Sequence, residues 1–279
     1  MNERCVFSLT TTPARIAHVC RTLNASDLSA VSQIWLHLPP THTSSGCAYP
    51  SDKEALALLS PPLLHASIAA KLRINHTLKD WGPLTKYLGC LSTPECAAVP
   101  SDAIIIVGDD DFCFPTPTLS VLTRALVLAE QMVLEADAVV SSSGQMATFW
   151  GAQRAFSAAD TAVPGHAIAA EGLLPGARLV PVDVCEGFSG VAMRMSTLRT
   201  PGFAAMTTRI VQHDAACWGS DDLVVSAVLA FLHIPRFVLL PRLPITGFSL
   251  PEPLSACAGG NAKKYAEAAP VIARILSRL

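Results

Sequence analysis

The first half of the chain contains four short stretches of mainly apolar, often β-branched residues, separated by longer segments of mixed polarity. The apolar stretches have the length and composition of strands buried in a sheet. They lie at residues 6–12, 33–39, 72–77 and 103–108. Helices are predicted between and after them, at residues 14–25, 52–59, 83–92 and 118–132. Regular alternation of strand and helix predicts an α/β fold with a mixed, mostly parallel sheet that has helices on both faces.

Two prolines mark where helices are expected to begin. Pro13 follows Thr12, a candidate N-cap, and Pro83 follows the Asp-Trp-Gly turn at 80–82. Proline suits the first position of a helix because its missing N–H would be unpaired there anyway. In a parallel sheet, ligands bind beyond the carboxyl ends of the strands. Residues 10–15 and the aspartates at 109–111 are therefore expected on the same rim.

The second half of the chain is less regular. Residues 138–151 predict a strand and a loop, and the alanine-, glycine- and proline-rich residues 157–178 predict a long loop. Residues 178–194 predict two strands joined at the sequence EGFSG. The apolar stretch 223–240 is interrupted by a histidine, a proline and an arginine, so it predicts a helix, a turn and a strand rather than a membrane span. Residues 251–279 predict a flexible loop and a basic terminal helix, for which packing is favoured over peripheral contact with a membrane surface.

Length and composition restrict the class of protein. The 279 residues are 51% hydrophobic with a formal net charge of −2, and the mean hydropathy is +0.40. A nearly neutral chain is a poor partner for nucleic acid, which requires a basic face. The nine cysteines form no CxxC pair, so neither a metal cluster nor a disulfide framework is expected. A reducing compartment is the expected location of such a chain. With no targeting segment apparent at the start, the expected location is cytoplasmic.

The sequence IIIVGDDD places three acids at the end of the most apolar strand. If strand geometry continues, Asp109 and Asp111 point to the same side, about 6–7 Å apart. Their carboxylates would repel by about 3 kcal/mol at an effective dielectric constant of about 20. A divalent cation with oxygen ligands, Mg²⁺ or Mn²⁺, relieves such repulsion. A polar turn without a ligand is the alternative, since aspartate favours turns.

Five motifs follow one another along the chain: TTPARI, DWGPLTK, IIIVGDDD, DVCEGFSGV and SDDLVVS. In this order they resemble the nucleotide-sugar glycosyltransferases of the GT-A fold, most closely a branch of small single-domain enzymes of bacteria, algae and large algal viruses. The resemblance covers roughly residues 6–240. It departs from the family pattern at Gly108, in the alanine- and proline-rich middle and at the C-terminus. It implies a GT-A domain over 1–250, with a nucleotide-binding half at 1–117 and an acceptor-binding half at 118–250.

The resemblance implies transfer of a sugar from a nucleotide-diphosphate sugar, with a UDP-sugar favoured, to a hydroxyl of a glycan or other acceptor. A divalent cation, Mn²⁺ or Mg²⁺, neutralises the leaving diphosphate in such enzymes. Asp111 would bind the metal, Asp109 would face the ribose or a metal-bound water on the metal side, and Asp110 would contact the ribose or be structural. The remaining residues expected on the nucleotide side are Thr10, Thr12, Arg15 and Lys86.

The acceptor hydroxyl needs a general base within hydrogen-bond reach. The resemblance places the catalytic acidic pair at Asp221 and Asp222, where a helix begins. We favour Asp221 as the base and Asp222 as its helper, which predicts direct displacement with inversion. Glu186 in EGFSG is the competing base or an acceptor contact. Capping of the helix by Ser220, with ordinary first-turn acids after it, explains the same residues without chemistry.

Three residues are expected on the acceptor side. Gly187 would let a sugar approach the backbone closely, beside Phe188 in the same motif, and Trp218 would stack against a ring. His213 and His233 are weaker candidates for a further metal ligand, because lone histidines at helix ends are more often packed or solvated.

Other metal-dependent classes fit the sequence less well. A phosphohydrolase with an aspartate nucleophile carries its DxDx[TV] motif on the first strand, whereas here three strands come before the acids and Cys113 replaces Thr or Val. A sugar-phosphate nucleotidyltransferase would normally carry a glycine-rich basic loop after the first strand, and TTTPAR is not one. These two classes remain the alternatives. The sequence DDDFCFPTPTLS lacks the Gly and Glu of an EF-hand loop, so a calcium-binding module of that type is excluded.

Overall fold

A computed structural model describes seven segments of the chain, which hold one large sheet, two small sheets and the helices around them. The segments are residues 4–60, 62–134, 136–148, 152–155, 168–170, 172–248 and 260–278. The strands are β1 (Cys5–Thr10), β2 (Gln33–Leu38), β3 (Leu72–His76), β4 (Ile104–Val107), β5 (Phe112–Cys113), β6 (Val139–Ser141), β7 (Gly144–Thr148), β8 (Ala152–Ala155), β9 (Ile168–Ala169), β10 (Arg178–Pro181), β11 (Val184–Cys185), β12 (Val191–Arg194), β13 (Arg236–Leu240) and β14 (Thr246–Gly247).

The α-helices are α1 (Val19–Ala25), α2 (Asp52–Leu58), α3 (Ala66–Ala69), α4 (Thr85–Leu88), α5 (Pro94–Ala97), α6 (Thr118–Met132), α7 (Met195–Arg199), α8 (Phe203–His213), α9 (Ala215–Trp218), α10 (Asp221–Phe231) and α11 (Gly260–Leu276). Short 3₁₀ helices lie at Ile16–His18, Gly82–Leu84, Gly89–Leu91 and Gly187–Ser189. Apart from one departure at the first helix, the predicted strands and helices of the first half match these elements closely.

The large sheet has nine strands in the order β3-β2-β1-β4-β12-β6-β13-β10-β9. Strands β3, β2, β1 and β4 pair in parallel. Strand β12 pairs antiparallel with both β4 and β6, and β10 pairs antiparallel with both β13 and β9. Within the described residues, β12 and β10 are therefore the two strands that run against the other seven. The predicted α/β fold with a mixed, mostly parallel sheet is confirmed.

Helices cover both faces of this sheet because alternate residues of its strands point to opposite sides. On one face, Val6 and Ile105 are buried in a cluster with residues of α8, α10 and α11. On the other face, Phe7, Ile104 and Ile106 are buried with residues of α1 and α6. A strand enclosed on both sides has few places where charged groups reach solvent, so the polar residues of this fold gather at the strand ends.

The first helix begins later than predicted. Thr12 does not cap it. Residues 12–15 form a turn in which the Arg15 N–H donates to the Thr12 carbonyl at 3.0 Å, and a 3₁₀ helix then starts at Ile16. The cap prediction was wrong because Arg15 is held by the aspartates that follow β4. A local sequence signal contains no information about that distant contact.

The prediction that two strands within 178–194 pair with each other was also wrong. The strands exist, but β11 pairs with β7, while β12 inserts between β4 and β6. The chain turns between them through the 3₁₀ helix Gly187–Ser189 and Gly190, whose φ of 83° a glycine adopts without strain. EGFSG is therefore a corner that carries the chain from one sheet to another.

The most apolar stretch of the sequence folds as a helix, a turn and a strand, as predicted: α10, a turn at His233 and β13. No helix among the described residues is both long enough and apolar enough to cross a membrane. Helix α11 buries Tyr265, Ala268 and Ile272 in the same core as α10. Of the loop expected at 157–178, residues 157–167 and 171 lie outside the described residues. In the remainder the prediction was wrong at β9, which pairs with β10 in the large sheet. The flexible connection before the terminal helix lies largely outside the described residues.

Candidate active site

One cleft of about 570 Å³ opens at the carboxyl end of the parallel strands. Because β1 and β4 are parallel neighbours, residues 10–12 and 109–111 leave the sheet side by side. Helix α4 adds Lys86 and the N-terminus of α10 adds Asp221 and Asp222. All five sequence motifs therefore contribute to a single cavity, and DVCEGFSGV does so through Phe188.

Arg15 is buried beneath the acids that follow β4. Its Nη2 atom lies 2.6 Å from Oδ1 of Asp110 and 3.0 Å from Oδ2 of Asp111. The Thr11 hydroxyl donates to the other oxygen of Asp110 at 2.5 Å, and the Thr22 hydroxyl donates to the Asp110 carbonyl. Burial raises the pKa of Asp110 to about 7, although Arg15 acts to lower it. Both carboxylate oxygens of Asp110 are thus already in use, as a structural residue requires.

Lys86 is a second buried cation, on the opposite side of the aspartates. Its Nζ atom lies 2.8 Å from Oδ2 of Asp221 and contacts Oδ1 of Asp109. Burial alone would lower the pKa of Lys86. The nearby charges of Asp109 and Asp221 outweigh burial and raise this pKa well above its usual value, so the ammonium group stays charged. The Ser8 hydroxyl donates to the Lys86 carbonyl at 2.5 Å and lies 3.1 Å from Nε2 of His37, which fixes α4 on the sheet.

Asp109 and Asp111 keep part of their carboxylates open to the cleft, with side-chain exposures of 33% and 24%. Burial and the neighbouring Asp109 raise the pKa of Asp111, so its charge is incompletely compensated. Among the described residues that line the cleft, six carboxylates face two cations, Arg15 and Lys86. The site has an excess of negative charge that a divalent cation would reduce.

The donor set of the cleft fits a cation that takes only part of its coordination from protein. No group of three or more His, Cys, Asp or Glu side chains is arranged to hold a metal ion in the part of the chain that the structure describes. Two oxygen donors, Asp109 and Asp111, suit Mg²⁺ or Mn²⁺, which commonly bind one or two carboxylates and complete their shell with phosphate oxygens and water. Exposed His213 and His233 do not line the cleft.

Asp221 and Asp222 occupy the first turn of α10 and differ in their partners. Asp221 pairs with Lys86, whereas Asp222 accepts the Gly187 N–H on Oδ1 at 2.7 Å and the Tyr265 hydroxyl on Oδ2 at 3.0 Å. Burial, followed by the charge of Asp221, raises the pKa of Asp222. The Ser220 side chain does not cap α10; its hydroxyl donates back to the Ala216 carbonyl. Simple capping therefore does not account for this acidic pair.

Phe188 and Trp218 provide an aromatic wall of the cleft. The Phe188 ring lies 5.2 Å from that of Phe112, and the Trp218 indole packs against Gly82, where an added Cβ would come within 2.6 Å of its Nε1. Gly187, next to Phe188 in the chain, donates its N–H to Asp222.

Glu186, the competing base, is turned away from the cleft. It is buried, it accepts the Ser143 hydroxyl, and its Oε2 atom lies 3.9 Å from Nη2 of Arg242. It is not among the residues that line the cavity. Of the three candidate bases, Asp221 and Asp222 are therefore the two that line the cleft.

The two threonines predicted to bind the nucleotide differ in whether their hydroxyl groups are already hydrogen-bonded. The Thr10 hydroxyl donates to the His37 carbonyl at 2.8 Å. The Thr12 hydroxyl is buried and has no hydrogen-bond partner among the described residues. Both line the cleft, so Thr12 is the one whose donor is free for a bound molecule.

Sequence reasoning missed several polar residues of the cleft, among them Tyr49, Asp80 and Tyr265. Tyr49 donates to the Thr11 carbonyl at 2.7 Å, and Asp80 accepts the N–H groups of Thr43 at 2.7 Å and Gly82 at 2.8 Å. Asp80 opens the recognised Asp-Trp-Gly-Pro turn, which could have identified it. Tyr49 lies in a loop and Tyr265 in the terminal helix, and neither has a local signal.

No protein family model matches the sequence of this protein, and no curated protein matches it.

Proposed function

We propose that this protein is a metal-dependent glycosyltransferase of GT-A type, which transfers a sugar from a nucleotide-diphosphate sugar, with UDP favoured, to a hydroxyl acceptor. The observation that carries the proposal is the single cleft in which Asp109 and Asp111 lie beside two buried cations and the acidic pair of α10. A nucleoside diphosphate is a polyanion, and this cleft combines cations with carboxylates that need a cation themselves.

Asp109 and Asp111 would hold Mn²⁺ or Mg²⁺, which when bound supplies Lewis-acid neutralisation of the leaving diphosphate. Arg15 and Lys86 contribute two fixed positive charges at the same rim, already held by buried contacts, so they need little reorganisation. Thr12 offers its unpaired hydroxyl to the nucleotide.

Asp221 serves as the general base of the transfer. It lines the cleft, and its Oδ2 atom lies 2.8 Å from Nζ of Lys86, within reach of an acceptor hydroxyl bound in the same cavity. The acceptor oxygen attacks the anomeric carbon, the bond from that carbon to the diphosphate oxygen breaks, and the acceptor proton passes to the Asp221 carboxylate. One base and direct displacement give inversion. Phe188 and Trp218 form the acceptor wall.

The eight cysteines of the described residues are free of disulfides, which supports a reducing, cytoplasmic location for this activity. The proposed acceptor is a glycan or another hydroxyl compound.

The test is donor turnover. UDP-, GDP- and dTDP-sugars are incubated with the protein in Mn²⁺ or chelator, and released nucleotide is measured for the wild type and Asp111→Asn. Metal-dependent release from one donor, reduced at least tenfold by the substitution, is expected. Asp52→Asn, an exposed site on α2, is the matched control. Release of inorganic phosphate would favour a phosphohydrolase instead, and formation of a sugar nucleotide from sugar phosphate would favour a nucleotidyltransferase. Absence of metal-dependent nucleotide binding by calorimetry would overturn the proposal.

A further inference from the structure

Helix α11 reaches the cleft although it is far from the other site residues in sequence. Its apolar stripe packs against α9 and α10, as the spacing of its buried residues requires. These residues are Tyr265, Ala268, Ala269, Ile272 and Ile275. Tyr265 differs from the rest of the stripe because it carries a hydroxyl and also lines the cleft. The helix therefore brings one polar group to the site.

The Tyr265 hydroxyl completes the hydrogen bonding of Asp222. It donates to Oδ2 at 3.0 Å, and the Gly187 N–H donates to Oδ1 at 2.7 Å. A buried carboxylate is costly without such donors. The fit is close as well, because a Cβ added at Gly187 would lie 2.8 Å from Oδ1 of Asp222. The carboxylate can therefore hold the Gly187 backbone only while its own orientation is fixed.

The Gly187 backbone in turn sets the wall of the cleft. Gly187 begins the 3₁₀ turn Gly187–Ser189, and the next residue, Phe188, lines the cavity. Its ring lies 5.2 Å from that of Phe112, the residue directly after Asp111. A chain of direct contacts thus runs from Tyr265 through Asp222 and Gly187 to the acceptor-side ring.

We propose that Tyr265 is a positioning residue of the site: its hydroxyl holds Asp222, and through Asp222 it holds the Gly187–Ser189 turn that presents Phe188 to the acceptor. The role of Phe188 toward an acceptor rests on the proposed function, whereas the contacts from Tyr265 to Phe188 are independent of it. The hydrogen bonds of this chain are made by Tyr265, Asp222 and Gly187 and not by Arg15 or Lys86, so nucleotide binding should be separable from it.

Tyr265→Phe tests the proposal, because the ring and its packing remain and only the hydroxyl is lost. We expect hydrogen exchange at the Gly187 amide to become at least tenfold faster. We expect the kcat of nucleotide release from the active donor to fall at least tenfold, while the Kd of UDP with Mn²⁺ stays within twofold. A merely structural loss would shift the Kd and kcat together.

Tyr49→Phe is the matched control, since it removes from the same cleft a phenol hydroxyl that donates to the Thr11 carbonyl and not to Asp222. Gly187 exchange should stay as in the wild type. Unchanged Gly187 exchange in Tyr265→Phe would overturn the proposal, as would an unchanged kcat with faster exchange. If the wild type turned over no donor, the proposed function would fail, and the exchange measurement would still decide whether Tyr265 holds Asp222 and the turn.

Discussion

The Nζ atom of Lys86 lies 2.8 Å from Oδ2 of Asp221 and also contacts Oδ1 of Asp109. One buried cation therefore joins the acids after β4 to the acids at the start of α10. Because both carboxylates depend on it, Lys86 contributes to the stability of the fold as well as to the charge of the cleft.

Lys86→Met is expected to destabilise the protein by about 3 kcal/mol. Removing one partner of a buried ion pair costs about 3–5 kcal/mol, and the lower end applies because Asp109 is one-third exposed. Urea denaturation measures the change. Mn²⁺ should recover more stability in the variant than in the wild type, since it supplies positive charge to Asp109, which has lost the contact with Lys86. Lys53→Met, on the exposed side of α2, should show no comparable change; equal losses in the two variants would contradict the role of Lys86.

Gly82→Ala should destabilise the protein through two separable effects. Gly82 has a φ of 59°, where an alanine costs about 1–2 kcal/mol. The new Cβ would also press on the Trp218 indole, which adds about 1–3 kcal/mol. Gly46→Ala is the control: its φ is 69° and nothing lies within 4 Å of the added Cβ. The double variant Gly82→Ala, Trp218→Ala should lose only the backbone part of the Gly82 effect, measured relative to Trp218→Ala. Equal effects at Gly82 and Gly46 would show that Trp218 does not pack as described.

His37 should make the protein less stable in mild acid. Burial lowers the pKa of His37 from 6.5 to about 3, so the folded state keeps it neutral. Below pH 6.5 the unfolded state binds a proton that the folded state does not, and stability is therefore lost as the pH falls from 6.5 towards 3. At pH 5 the loss is about 2 kcal/mol. His37→Gln removes this titration, so its stability should change less between pH 7.5 and pH 5 than that of the wild type. Parallel curves of stability against pH would refute the assignment.

Ser8→Ala should weaken both the fold and nucleotide binding. Its hydroxyl donates to the Lys86 carbonyl and accepts from Nε2 of His37. The substitution removes both contacts and leaves these two buried groups with the weaker Sγ atom of Cys90, at 3.3 and 3.7 Å. We expect a loss of about 2 kcal/mol in urea denaturation and weaker binding of UDP with Mn²⁺, because α4 carries Lys86. Ser32→Ala removes a similar contact, to the Cys5 carbonyl at 2.7 Å, away from the cleft. That control should lose stability but bind UDP as the wild type does.

The first half of the fold was predictable because its signals are local. Each strand from β1 to β4 is a short apolar run, and parallel order follows from the helices between them. The rim position of Asp109 to Asp111 follows from the same rule. These predictions needed only the periodicity of neighbouring residues.

The features that sequence reasoning missed depend on contacts between distant residues. Thr11 and Asp110 are 99 residues apart, and Tyr265 and Asp222 are 43 apart. Nothing in the local sequence around β12 indicates that it inserts between β4 and β6. EGFSG between two apolar segments therefore predicted a hairpin. In each case a buried polar group needed a partner, and which partner it found was decided by the assembled core.

The position of β12 also affects how the protein folds during synthesis. Strand β4 emerges from the ribosome with β1 already available, but its other neighbour is not made until residues 191–194. At about 5–20 residues per second, the roughly 80 intervening residues take on the order of 4–16 s. During that interval four apolar residues present an unpaired edge, the kind of surface on which nascent chains aggregate. The nascent chain is therefore expected to be most prone to aggregation during that interval.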